Sequence, residues 1–279
     1  MEKKIKFIKD KANAMRRLII EMLAKAASGH PGGSLSAADI IACLYFEVMK
    51  HDAKNPDWDE RDRFHLSKGH CCPALYAALA LSGYFPESEL LRLRRLGAML
   101  QGHPDCRTPG IEMASGSLGQ GLSVCVGMAL VGKMDKKDWR VYCLMGDGET
   151  QEGSVWEAAM AAAHHKLDNL CAIVDYNRFQ IDGRTEEVMN LEPYVNKWES
   201  FGWRAIQCDG HNIEALLAAF SEARAVKFKP TIIIAHTVKG KGVSFMEHVV
   251  DFHGRAPTAK EREIALRELS DIEQGEERL

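Results

Sequence analysis

At 279 residues the chain has room for one large α/β domain or two small ones, taking roughly 100–200 residues per domain. Hydrophobic residues make up 46% and charged residues 27%, ordinary globular usage with enough apolar material for a sizeable core. A net charge of −3 with no basic block argues against nucleic acid as a partner, and no run approaches the ~18 apolar residues of a membrane span.

The start, Met1-Glu2-Lys3-Lys4-Ile5-Lys6, interrupts itself with charge and builds no apolar signal core. Met15, Leu18, Ile19, Met22, Leu23 and Ala26 then repeat at helical spacing. That helix should stop at Ser28-Gly29, where glycine can adopt the left-handed cap conformation. Short apolar runs follow at 64–67, 141–145, 170–176, 204–208 and 231–236, and they predict strands. Between them, 120–133, 152–166 and 213–226 predict helices, the last capped by Asn212. Strands without polar alternation, each followed by a helix, indicate a three-layer α/β/α fold with a mostly parallel sheet. Gly121, Gly127 and Gly132 mark 120–133 as a buried helix packed closely on its neighbours. We expect one domain over 1–256 and a charged, helical, exposed tail over 257–279. The eight cysteines show no Cys-x-x-Cys pair or zinc spacing, and Cys43, Cys125, Cys143 and Cys171 fall inside apolar runs. Free thiols of a cytoplasmic protein explain this pattern, with the vicinal pair Cys71-Cys72 read as packing.

The chemistry centres on Gly146-Asp147-Gly148, directly after the strand at 141–145, and on Asp175-Tyr176-Asn177 at the end of the next strand. Asp147 and Asn177 thus fall at the carboxyl ends of two parallel strands, the edge where open α/β sheets bind ligands. Gly146 and Gly148 let the backbone turn and approach phosphate oxygens, and the helix after them would aim its positive end at the same place. A carboxylate and an amide oxygen suit Mg²⁺, which completes its octahedron with phosphate oxygens, and the Phe179 carbonyl is a natural third protein ligand.

Gly-Asp-Gly followed after a spacer by Asn resembles the thiamine-diphosphate signature. Within that superfamily the chain is similar to transketolase almost from end to end. The resemblance rests on Ser28-Gly29-His30-Pro31-Gly32, Asp62-Arg63-Phe64, Leu66-Ser67-Lys68-Gly69-His70 and Gly102-His103-Pro104. It continues through Leu118-Gly119-Gln120-Gly121, Thr237-Val238-Lys239-Gly240-Lys241-Gly242 and His253-Gly254. It implies the thiamine-diphosphate-binding fold and transfer of a two-carbon ketol unit from a ketose phosphate to an aldose phosphate, with Mg²⁺ as the metal and Ca²⁺ or Mn²⁺ able to replace it.

By the same resemblance, His30 and His253 handle the reacting hydroxyls and His103 holds the donor's terminal hydroxyl. His70 and His253 touch the diphosphate, alongside Gly146, Asp147, Gly148 and Asn177. The Gly116, Ser117 and Leu118 backbone lines the aminopyrimidine, Ser117 standing where full-length members commonly carry proline. Imidazoles titrate near neutrality and suit proton shuttling. His51, His65, His164, His165, His211, His236 and His248 read as structural. Glu152, in the first turn of the helix after Gly-Asp-Gly, is a carboxylate favoured at a helix N-terminus. In the family its counterpart meets a second glutamate across a subunit interface. A full-length transketolase is more than twice as long and adds a pyrimidine-binding domain with that second glutamate. The chain should therefore be the diphosphate-binding subunit of a split enzyme, inactive without a complementary C-terminal subunit, with two copies of each. Two alternatives remain: a ketol-transferase subunit for a modified sugar phosphate, and an inactive scaffold or regulatory subunit.

Overall fold

The computed structural model describes residues 1–274. Five strands form one parallel sheet: β1 (Arg63–Leu66), β2 (Val141–Gly146), β3 (Leu170–Tyr176), β6 (Arg204–Asp209) and β7 (Thr231–His236), in the order β1-β2-β3-β7-β6. The short strands β4 (Phe179–Gln180) and β5 (Gly183–Arg184) pair antiparallel as a separate hairpin directly after β3. All seven residues of β3 are buried, as expected of a strand covered on both faces.

Side-chain alternation divides the sheet between two cores. Leu144, Ile173 and Ile233 face a core shared with α1 (Glu2–Ala26), α3 (Ala38–Cys43), α4 (Cys72–Leu81) and α9 (Ile213–Ala225). Cys143, Val174 and Ile234 face the other, built with α5 (Gly121–Met134), α6 (Gly153–His164) and α8 (Tyr194–Ser200). All eight cysteines are free thiols. Asn212 caps α9 as its sequence predicts, its side-chain oxygen accepting from Ala215 N at 3.1 Å.

Three expectations change. The left-handed residue that closes α1 is Ala27, at φ 51, whose N–H reaches the Ala24 carbonyl; the chain turns before Gly29 is reached. Helix α5 is packed on one side only. A Cβ at Gly132 would lie 2.8 Å from the Trp139 ring, whereas one at Gly127 would meet nothing within 4 Å. Val131 and Met134 on that outer side are exposed, so the hydrophobicity of 120–133 reflects two faces of which the domain covers one. The tail does form a helix, α10 (Ala259–Gln274), but it is not free in solvent. Ala265 and Leu269 are fully buried, and Asn13 Nδ2 on α1 donates to the Leu269 carbonyl at 2.9 Å. Residues 275–279 of the expected tail lie outside the described residues.

Candidate active site

The carboxyl ends of β2, β3 and β7 meet at one edge, with Gly146 opposite Asp175 and Asp175 opposite Ala235 in register. A pocket of about 180 Å³ opens there. Asp147, Asn177, Phe179, His70, His253 and Leu118 line it, with Gly146, Gly148 and Glu152.

Asp147 is 1% exposed and accepts from two backbone amides, Gly148 N at 2.9 Å and Arg178 N at 2.5 Å. Burial, and then the neighbouring Asp175 carboxylate, raise it to about 7. A buried carboxylate that is held by two amides and wants more positive charge is suited to a cation. Asn177 offers its amide oxygen, which also accepts from Phe179 N at 3.0 Å and so fixes the turn that presents the Phe179 carbonyl. A Cβ on Gly148 would lie 2.8 Å from Gln180 Cβ, so glycine is required there. At Gly146 a side chain would meet nothing within 4 Å and would fill the pocket instead.

Beneath this edge lies Asp175, fully buried, accepting from Lys68 Nζ, Thr237 Oγ1 and, at 2.5 Å, Ser36 Oγ. Asn177 Nδ2 approaches the same carboxylate at 3.4 Å. Burial would raise Asp175, but the Lys68 ammonium and its hydrogen bonds hold it below the ordinary carboxylate value. Lys239, also on the pocket wall, donates toward His253 Nδ1 at 2.9 Å. Burial, then the Lys68 charge, lower Lys239 to about 8.

The four glycine-flanked histidines converge. The His30 ring centroid lies 5.2 Å from His70, 5.7 Å from His253 and 6.5 Å from His103, and His70 stacks on His253 at 5.2 Å. Burial foremost, then Arg94, His103 and Lys239, bring His30 down to about 4. Burial and Lys239 bring His253 to about 3, and burial with Lys68 takes His70 well below its usual value. The half-exposed His103 is lowered by partial burial and then by Arg94. All four rings are therefore neutral near pH 7. His30 Nδ1 is buried without a hydrogen-bond partner, an acceptor or donor waiting for a ligand.

One predicted residue sits differently. Glu152 does not lie in the first turn of α6 but precedes it as an extended, exposed N-cap residue without a capping bond, because a 3₁₀ turn (Gly148–Gln151) intervenes after Asp147. That turn, capped by Asp147 on Gly148 N, stands between the Gly-Asp-Gly loop and α6, the helix expected at 152–166. Gly116 and Ser117 are exposed, Gly116 beside the His103 ring, while Leu118 reaches the pocket.

Lys68, Lys239, Asp175 and Glu149 were not singled out by sequence reasoning. Glu149, 3% exposed, accepts from Ser67 Oγ, from Gly119 N at 3.0 Å and from Gly146 N at 3.1 Å, tying the 116–118 loop to the Gly-Asp-Gly turn. For Lys68, Lys239 and Glu149 the available signal was a charged residue in a glycine-containing stretch shortly after a strand; Asp175, inside β3, carried none.

The assembly is a parallel α/β domain whose carboxyl edge presents a cation-seeking carboxylate, a glycine cradle and a cluster of neutral imidazoles. The family model for "Transketolase, thiamine diphosphate binding domain" matches residues 8–270. The chain belongs to the transketolase family, as a subunit carrying its thiamine diphosphate-binding domain. It is 49% identical over 263 residues to the 6-deoxy-6-sulfo-D-fructose transketolase subunit SqwG of Clostridium sp. (strain MSTE9), covering 94% of this chain and 96% of that one. Identity to an apulose-4-phosphate transketolase subunit of Phocaeicola vulgatus is 46% over 256 residues, 92% and 91% of the two chains. The crystal structure of transketolase from Campylobacter jejuni superposes with a TM-score of 0.90 at 36% identity, covering 94% of this chain but 42% of that one.

Proposed function

We propose that the chain holds the diphosphate and metal of thiamine diphosphate in a two-subunit ketol-transferase, and that its histidines move the protons of the reaction. The observation carrying this reading is that Asp147, Asn177, His70 and His253 line one pocket, with His30 stacked edge-on against both imidazoles. Asp147, Asn177 and the Phe179 carbonyl would hold Mg²⁺, with phosphate oxygens completing its shell. Gly146 and Gly148 would take the diphosphate against the backbone, beside the cationic Lys68 and Lys239. When bound, thiamine diphosphate supplies the electron sink for carbon–carbon cleavage. The neutral imidazoles of His30 and His253 accept or return a proton at the sugar hydroxyls, and His103 orients the donor's terminal hydroxyl. Gly116, Ser117 and Leu118 face the aminopyrimidine, and Glu152 stands exposed where a partner's glutamate would reach it. A complementary pyrimidine-binding subunit closes the site, with two copies of each chain, since oligomers adopt closed symmetry. The free thiols support a cytoplasmic setting.

The sugar is the open variable. One reading is the pentose-phosphate pair of ketose and aldose. The names of the two relatives matched along nearly their whole length, a sulfofructose enzyme and an apulose-4-phosphate enzyme, favour a modified ketose phosphate or sulfonate as donor. The test is a coupled assay with thiamine diphosphate, Mg²⁺ and ribose 5-phosphate, run on this chain alone and with the subunit encoded beside it. Xylulose 5-phosphate, 6-deoxy-6-sulfo-D-fructose and apulose 4-phosphate are the donors. Turnover only in the mixture supports the split enzyme, and the donor used identifies the sugar. Turnover by this chain alone overturns the need for a partner. A mixture that fails to bind thiamine diphosphate, followed by tryptophan fluorescence, gives the scaffold reading instead.

A further inference from the structure

Arg94 stands between two loops that each deliver a histidine to the site. Its Nη1 donates to Ser28 Oγ at 3.1 Å and its Nη2 to the Gly102 carbonyl at 3.5 Å. The guanidinium approaches the backbone at both places. A Cβ at Gly102 would be 2.8 Å from Arg94 Cζ, and one at Gly29 would be 3.9 Å from Arg94 Nε. Those glycines immediately precede His103 and His30.

The main chain at Arg94 is left-handed, at φ 62, a conformation that costs a residue with a Cβ about 1–2 kcal/mol, and its N–H is pinned to the Leu100 carbonyl at 2.9 Å. A glycine would occupy that backbone more cheaply. Neighbouring arginines are neutralised locally, Arg92 by Glu89 at 3.0 Å and Arg107 by Asp105 at 2.6 Å. Among the described residues no carboxylate pairs with Arg94. Its charge therefore acts on what it faces.

We propose that Arg94 is the positioning residue of the histidine cluster: it clamps the Ser28–His30 loop to the Gly102–His103 loop and keeps a fixed positive charge beside both rings. The inference rests on the proposed function for what the histidines do with sugar hydroxyls, but the clamp stands on its own geometry. The groups acting on His30 are Arg94, His103 and Lys239, with the His70 and His253 rings packed against it. His103 faces Arg94 and the His30 ring. None of these neighbours is a carboxylate, so the Arg94 charge adds to burial, the larger cause, in keeping both imidazoles in the neutral, proton-accepting form.

Three variants separate charge from clamp: Arg94→Lys keeps the charge on a single-point donor, Arg94→Gln keeps a planar hydrogen-bonding group without charge, and Arg94→Ala keeps neither. The first readout is the NMR titration of the histidine Cε1–Hε1 signals in the isolated full chain, which needs no substrate and no partner. His30 and His103 should titrate at higher pH in Arg94→Gln and Arg94→Ala than in the wild type, and at the wild-type position in Arg94→Lys. The second readout is the pH profile of the assembled enzyme. Its acid limb should move to higher pH in the two uncharged variants, with kcat/KM reduced about ten- to hundredfold in Arg94→Ala through misplacement of the rings. Should Arg94→Ala fail to fold, Arg94→Gln and Arg94→Lys alone decide. Histidine titrations that are identical in the wild type and Arg94→Gln overturn the proposal. If the enzyme is inactive on every sugar tried, the titrations still decide the role of Arg94 while the functional reading fails separately.

Discussion

Asp175 illustrates how much of this site is held from below. Its carboxylate is inaccessible and is matched by a fully buried ammonium, Lys68, with hydroxyl donors from Ser36 and Thr237. Four segments of chain therefore converge on one charge: the loop after β1, helix α2 (Pro31–Ser36), β3 itself and the stretch after β7. Removing one partner of a buried ion pair leaves the other uncompensated, at a cost of about 3–5 kcal/mol, whereas the same pair on the surface would contribute under about 1 kcal/mol. Asp175→Asn preserves shape but replaces one acceptor oxygen with a donor and strands Lys68. We expect it to lower the urea midpoint of the isolated chain by an amount corresponding to about 3–5 kcal/mol, with the slope unchanged. A loss below about 1 kcal/mol would mean that Lys68 finds another partner or gives up its proton. Residue-level reading of the sequence found Asp147 and Asn177 because glycines and strand ends flag them. It did not single out Asp175 or Lys68, because pairing between positions 107 residues apart leaves no local pattern.

At the scale of elements, α10 is the least obvious piece. Its sequence is dominated by charge, which predicts a solvated helix, yet two small stretches of its surface anchor it to α1. Leu269 is fully buried, and Arg262 makes a two-pronged pair with Glu21 at 2.6 and 2.7 Å. The pair is partly exposed and contributes little; burial of Leu269 carries the docking. Leu269→Ala should destabilise the chain by about 2–5 kcal/mol, read from the thermal or urea transition, while Arg262→Ala should cost under about 1 kcal/mol. The reverse order would mean that ion pairing, not packing, attaches the helix. The sheet strands were legible because β2, β3 and β7 carry continuous apolar stretches, with shorter ones interrupted by His65 in β1 and Gln207 in β6, and β3 and β7 match their predicted bounds. Strand order was not legible: β7 inserts between β3 and β6 through contacts between strands far apart in sequence. The 3₁₀ turn ahead of Glu152 was also hidden, since Gly148–Gln151 reads as a plain loop before the helix expected at 152–166.

At the scale of the whole molecule, the surface is unfinished on the side where the site opens. The N-terminal ends of α5 and α6 approach each other there, with Ser154 Oγ donating to the Gly119 carbonyl at 3.1 Å, and both Leu118 and Glu152 reach the pocket. From that point the outer faces of the two helices run back with exposed small and apolar residues, Gly127, Val131 and Met134 on α5 and Gly153 and Met160 on α6, with the charged Glu157 among them. Met134 is 72% exposed and Met160 55%, and neither Gly127 nor Gly153 has a neighbour within 4 Å of where a Cβ would stand. An apolar face bordered by an incomplete site is the expected signature of a surface that another subunit covers. Mixing the chain with the subunit encoded beside it should therefore produce a larger species on size-exclusion chromatography with multi-angle light scattering. Val131→Asp and Met160→Asp should each weaken that association by about tenfold or more, through burial of a charge at an apolar contact. Because both side chains point away from the domain core, the fold of the isolated chain should keep its stability within about 0.5 kcal/mol. Unchanged association in both variants would move the interface elsewhere on the chain. A wild-type chain that stays monomeric in the mixture would remove the split-enzyme reading altogether.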